Sequence, residues 1–248
     1  MNWETVVLLV FAGVAAGLGG STTGIASVFS YPALLLSGLS PIDANVTNSV
    51  SLTFLSIGST IGSYPEWRPK IDLLKRLAPA TFLGGLAGSL ILLMSPPEGF
   101  EKVVPFLLVL ASIVILIPVT RARLGGSAKH LLLLQVLAGL VGIYCGYFGA
   151  ASGTMTIALL IQMLGLSLPV AHAMKNVLLG LANGVAALLF IFSGHVHWLP
   201  AIPLAVGFFV GGRLGPIVVR KAPQKALKYF VACAGITLAI WLLWKQLA

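Results

Sequence analysis

Charge is what this sequence has least of. Only 8% of its 248 residues are Asp, Glu, Lys or Arg, against about 25% in a soluble domain. So few charges cannot coat a water-facing surface of this size. Carboxylates are the scarcest: Glu4, Asp43, Glu66, Asp72, Glu98 and Glu101 are all there are. They fall in loops or at the ends of apolar runs, Asp43 lying nearest to a run interior. This disfavours an intramembrane cation or proton site, which usually needs a carboxylate at depth. It also leaves no deep carboxylate pair for hydrolytic chemistry. The two cysteines, Cys145 and Cys233, sit in apolar runs without metal or redox spacing and read as small buried hydrophobes. His195 and His197 form a His-x-His without a third ligand, so no metal or other cofactor is expected. The net charge of +9 does not point to nucleic acid, because no basic stripe with interleaved aromatics occurs in a polar segment. Met1-Asn2-Trp3-Glu4 lacks the basic region of a secretory signal, so the first apolar run is expected to be retained.

What fills the chain instead is hydrocarbon: 58% of residues are apolar and the mean hydropathy is +1.03. Apolar runs separated by short polar loops fall at 5–19, 24–37, 44–64, 73–95 and 103–120, then at 132–147, 153–165, 170–193, 199–219 and 227–247. A span needs roughly 20 such residues, so the sequence predicts an all-α polytopic membrane protein in the plasma or inner membrane. The polar stretch 121–130 divides it into a first transmembrane repeat at 1–120 and a second at 131–248, and is expected to be a cytoplasmic linker.

The two sets of runs are copies. Ala12-Gly13 matches Ala138-Gly139. Gly38-Leu39-Ser40 followed by Pro41 matches Gly165-Leu166-Ser167 followed by Pro169. Asn48 falls on Asn176, and Gly84-Gly85 with Gly88 falls on Gly211-Gly212 with Gly215. Internal repeats of this kind mark transporters. Each copy opens with two short runs of about 15 residues, which cover about 22 Å of a core of about 30 Å. A re-entrant hairpin is preferred over two tilted crossings. Either one puts Arg68, Lys70, Lys75, Arg76, Arg121, Arg123, Lys129, Arg220, Lys221, Lys225 and Lys228 on one face, with Lys102 and Lys245 opposite. A single broken crossing would divide the charges much more evenly. The positive-inside rule therefore predicts inverted repeats, each a broken or re-entrant hairpin followed by three transmembrane helices.

The glycine-rich turns of the hairpins are the candidate site. The first contributes Gly20, Ser21, Thr22, Thr23 and Gly24, and the second Gly149, Ser152, Gly153 and Thr154. Broken backbone at membrane depth is tolerated against protein or a watery cavity. It also exposes the N–H groups of the next helix, which suit an anion. Asn48 and Asn176 are the matched amides, able to orient a turn, touch substrate or bond a neighbouring helix. Lys175 and Arg213 are the deep cations, read either as site charges or as snorkelling side chains. His172, one turn before Asn176, reads as a packing residue. The Gly84–Gly88 and Gly211–Gly215 stretches read as packing faces between the repeats.

Taken together, the Gly17–Gly24 turn with Pro32, the Ser40–Ala44 loop, Gly84–Gly88, Gly146–Gly153, Leu166–Pro169 and Gly211–Gly215 resemble the TauE/SafE sulfite/sulfonate exporter family over nearly the whole chain. The resemblance implies a carrier of sulfite, sulfonates or related organic anions. The expected function is alternating-access transport of a small anion held between the hairpin turns. The expected partners are that anion and the bilayer, with a homo-oligomer left open. The rival readings are an anion channel, a scaffold subunit and a membrane enzyme.

Overall fold

The computed structural model describes residues 2–96, 98–100, 102–104, 106–107, 109 and 128–221. Residues 110–120 of the run 103–120, residues 121–127 of the 121–130 linker, the run 227–247 and Cys233 lie outside the described residues. Within them the chain is helical without strands. The first half comprises α1 (Trp3–Thr22), α2 (Ser27–Leu36), α3 (Pro41–Gly62), a four-residue α4 (Tyr64–Trp67) and α5 (Ile71–Met94). The second comprises α6 (Ala128–Tyr147), α7 (Ser152–Leu164), α8 (Leu168–Phe192) and α9 (Trp198–Lys221). Five of the described helical stretches are long and apolar enough to cross a membrane: Trp3–Thr22, Tyr64–Met94, His130–Tyr147, Leu168–Phe192 and Trp198–Arg220. Large apolar side chains stand outward on them, Phe11, Leu83, Leu132, Leu188 and Ile202 among them, as lipid-facing surface requires.

The repeated blocks have local causes. Gly38 and Gly165 end the short helices α2 and α7 with φ of 93° and 63°, a left-handed conformation natural to glycine. Ser40 then caps α3, its Oγ accepting from the Asp43 N–H at 3.2 Å, with Pro41 in the first turn. Ser167 and Pro169 occupy the corresponding places before α8, although the Ser167 side chain makes no capping bond there.

The hairpin arms are unequal. The first arms, α1 and α6, have 20 residues each and so reach about 30 Å. The second arms, α2 and α7, have 10 and 13. The expectation of two short arms therefore holds for the second arm only. Helix continues through Gly17–Thr22 and through Gly146-Tyr147, leaving breaks at residues 23–26 and 148–151.

The two halves are interwoven. α1 packs on α9 and α6 on α5, while α3 packs on both α8 and α9 and α5 on α8. Exchanging each helix for its counterpart leaves this pattern unchanged. Glycines make the seams. A Cβ on Gly13 would lie 2.6 Å from the Leu204 carbonyl oxygen, and one on Gly17 would lie 2.9 Å from the Gly211 Cα. Along α5, a Cβ on Gly84 would lie 2.9 Å from the Ile143 nitrogen, and one on Gly88 would lie 2.9 Å from that of Tyr147. Each pair runs parallel, and the Gly84–Gly88 and Gly211–Gly215 stretches join opposite halves as the sequence indicated. α3 and its counterpart α8 run antiparallel. Asn176, early in α8, bonds Ser63 at the end of α3, while His195, just past α8, bonds Asp43 at the start of α3.

Candidate functional site

The two helix breaks meet inside the protein. A Cβ on Gly24 would overlap Gly153, and the Thr154 hydroxyl donates to the Thr23 carbonyl at 2.6 Å across the junction. That bond joins residues 131 apart and ties one tip to the other. Thr154→Val removes the donor and leaves a carbonyl unpaired, at an expected cost of about 1–2 kcal/mol. Thermal unfolding in detergent checks this, with Thr154→Ser expected to match the parent.

Beside the junction lies a cavity of about 40 Å³, lined by Gly20, Gly24, Ala26, Ser27, Leu52, Leu55, Ser56, Gly149, Ser152, Gly153, Lys175, Asn176, Leu179 and Asn183. A single water needs about 10–15 Å³ and drug-sized ligands about 300–1,000 Å³. A small ligand is what such a space suits. The amino ends of both short helices border it, through Ser27 for α2 and through Ser152 and Gly153 for α7. Aligned peptide dipoles give such ends partial positive charge and free N–H groups.

Lys175 brings an amine to the cavity. Its side chain is 2% exposed, and Nζ donates to the carbonyls of Gly20 at 2.6 Å and Ser21 at 3.3 Å. Those carbonyls belong to the last turn of α1, where a cation complements the helix dipole. No carboxylate is among the lining residues, and among the described residues the Lys175 amine bonds these two backbone carbonyls. A buried charge without an opposite partner is costly, and an anion in the cavity would supply that partner.

The structure divides the predicted residues. Gly20, Gly24, Gly149, Ser152, Gly153, Lys175 and Asn176 line the cavity, while Ser21, Thr22, Thr23, Asn48 and Thr154 do not. The hydroxyls of Ser21, Thr22 and Thr23 donate back to the carbonyls of Gly17, Leu18 and Gly19, so these donors are engaged by their own helix. Asn48 donates from Nδ2 to Ser27 Oγ at 3.1 Å and so holds the start of α2. Asn176 donates to Ser63 Oγ at 3.3 Å, and its Oδ1 has no protein partner. Sequence reasoning missed Ser27, Ser56 and Asn183. Asn183 follows Asn176 by seven residues and so shares its helix face, a spacing that could have found it. Arg213 is exposed on α9 and lies away from the cavity. Asp43, at the start of α3, faces His195 at 3.0 Å and His197 at 3.4 Å. Cys145 is buried, its thiol 3.5 Å from Asn183 Oδ1. Among the described residues no group of three or more His, Cys, Asp or Glu could hold a metal.

Helices of membrane-spanning length around a small cavity that holds a buried lysine define a multi-pass membrane protein with a polar site where two broken helices meet. Residues 9–242 match the family described as sulfite exporter TauE/SafE, and the chain belongs to that family of membrane transporters. It is 26% identical over 242 residues to the probable membrane transporter protein YfcA of Escherichia coli (strain K12), covering 96% of this chain and 89% of that one. It is 27% identical over 246 residues to the probable membrane transporter protein ORF9 of Sinorhizobium sp, covering 95% and 92%. A probable membrane transporter protein of Haemophilus influenzae is 22% identical over 248 residues, covering 98% and 96%. No solved structure matches the chain.

Proposed function

We propose that the protein is a secondary transporter of the plasma or inner membrane that moves a small oxyanion, sulfite, a sulfonate or a relative of these, with no enzymatic activity of its own. One observation carries the anion: a buried lysine lines a small cavity with no carboxylate in its lining, at the amino ends of two short helices. Membership of the TauE/SafE family supports sulfite and sulfonates as the first anions to test. Backbone N–H groups of the α2 and α7 starts and the Asn176 amide would hold the oxygens, with Lys175 balancing the charge. The Ser152 hydroxyl, which donates to the Gly149 carbonyl at 2.8 Å, would turn to join them.

Alternating access between inverted repeats is the proposed mechanism. The antiparallel run of α3 against α8 supports the inversion, as does the distribution of groups between the two ends of the bundle. Glu66 and Arg220 meet at one end, where the Gln135 side chain also bonds the Arg76 carbonyl. Asp43, His195 and His197 meet at the other. This division gathers Arg68, Lys70, Arg76 and Arg220 at one end, as the positive-inside rule requires of a cytoplasmic face.

The test is anion uptake into vesicles containing purified protein. Asn176→Ala and Ser152→Ala are each expected to reduce sulfite or sulfonate flux at least tenfold while thermal unfolding shows folded protein. Parental flux in both variants would remove the cavity from the transport path.

A further inference from the structure

A second, smaller space lies beside the site, toward the face of the protein where Glu66 and Arg220 meet. It measures about 10 Å³, and Ser63, Glu66, His172, Asn176 and Arg220 are among its lining residues. Asn176 lines this space and the central cavity alike. His172, 7% exposed, has no hydrogen-bond partner for its Nδ1 among the described residues. The space is at the lower size limit for one water. At its outer end sits an ion pair.

That pair is built for exchange. Arg220 grips the Glu66 carboxylate with two prongs, Nε to Oε1 at 2.7 Å and Nη2 to Oε2 at 2.9 Å. Nη2 also donates to the Gly62 carbonyl at 3.0 Å, so the guanidinium stays tethered to the end of α3 if the carboxylate leaves. The pair joins residues 154 apart, from opposite halves of the chain. A planar fork of donors fits a carboxylate and an oxyanion by the same geometry.

We propose that Glu66 and Arg220 form the gate between the central cavity and this face, and that an arriving anion takes the place of Glu66 on Arg220. This rests on the reading of the cavity as an anion site. When the pair is closed, the 10 Å³ space is too small for an oxyanion to pass. When Glu66 swings away, the guanidinium presents its fork to the path and selects negative charge before Asn176 and Lys175 receive it.

The experiment follows the reactivity of a cysteine placed behind the gate. In a Cys145→Ala/Cys233→Ala background, Ser63→Cys puts a thiol in the small space. Two membrane-impermeant thiol reagents of similar size, one carrying a sulfonate and one an uncharged polar group, are applied from the Arg220 face. With the pair intact both label slowly. Glu66→Gln is expected to speed labelling at least tenfold, the sulfonate reagent gaining more than the neutral one. Arg220→Gln is expected to speed the neutral reagent and lose the preference for the sulfonate. The charge swap Glu66→Arg/Arg220→Glu restores an ion pair and is expected to label slowly again, which also shows that the altered pair still folds. Labelling unchanged in both single variants overturns the gate. Equal gains for the two reagents in Glu66→Gln overturn the hand-over to Arg220. No transported anion is present in these reactions, so failed flux in vesicles counts against the carrier and leaves the gate result standing.

Discussion

Gly24→Ala is expected to lose most or all of its folded protein, with Gly38→Ala as the informative companion. Both glycines are left-handed, at φ of 87° and 93°. An alanine in that conformation costs about 1–2 kcal/mol. Around Gly38 nothing lies within 4 Å of an added Cβ, so backbone strain is the whole effect. At Gly24 the added carbon overlaps the Gly153 carbonyl carbon and the Thr154 nitrogen, both backbone atoms of the other half. They move only if the tips separate, which breaks the Thr154–Thr23 bond as well. Strain and overpacking together cost about 3–5 kcal/mol. Thermal unfolding in detergent separates the two positions. Equal shifts in the two variants would show that the tips do not bear on each other in solution.

Lys175→Met should leave a folded protein that hardly binds anion. Methionine keeps the length of the side chain and removes the charge. The variant loses the two bonds to the Gly20 and Ser21 carbonyls, which costs about 1–3 kcal/mol, but it also removes a buried amine that has no carboxylate partner among the described residues. The net effect on stability is therefore small. Binding suffers more. A hydrogen bond to a charged group contributes about 1.5–3 kcal/mol, so affinity is expected to fall about ten- to a hundredfold. Protection against unfolding by added sulfite or sulfonate reads this directly, because a ligand of the folded state raises stability by mass action. Protection equal to the parent's would show that the ammonium serves only to cap α1.

Some of this was legible in the sequence for physical reasons. The Gly-Leu-Ser blocks were visible because a left-handed helix end and a serine ahead of the next helix are local requirements that residue type alone expresses. Lys175 was visible because a charge inside an apolar run is rare. The hydroxyls of Ser21, Thr22 and Thr23 misled, since a donor in a sequence does not reveal that it bonds its own helix four residues back. Gly17 and Gly20 were read as helix breakers. Gly17 instead lets α9 approach α1, a long-range reason that no local pattern carries. Ser56 and Asn183 escaped because their counterparts by repeat offset are Gly184 and Leu55, so the repeat gave no signal. The Glu66–Arg220 pair escaped because its members are joined only by the fold.

The glycine seams have a mechanical consequence. Helices usually lock by setting ridges of side chains into grooves, and sliding them past one another means repacking each ridge. Along α1 and α9, and along α5 and α6, backbone lies against backbone over several turns, so few ridges have to be lifted. Under the proposed alternating access these seams would serve as bearings between the halves. Resistance to that motion would fall instead on polar fasteners: Asp43 with its two histidines at one end, Glu66 with Arg220 at the other, and the Thr154–Thr23 bond between the tips.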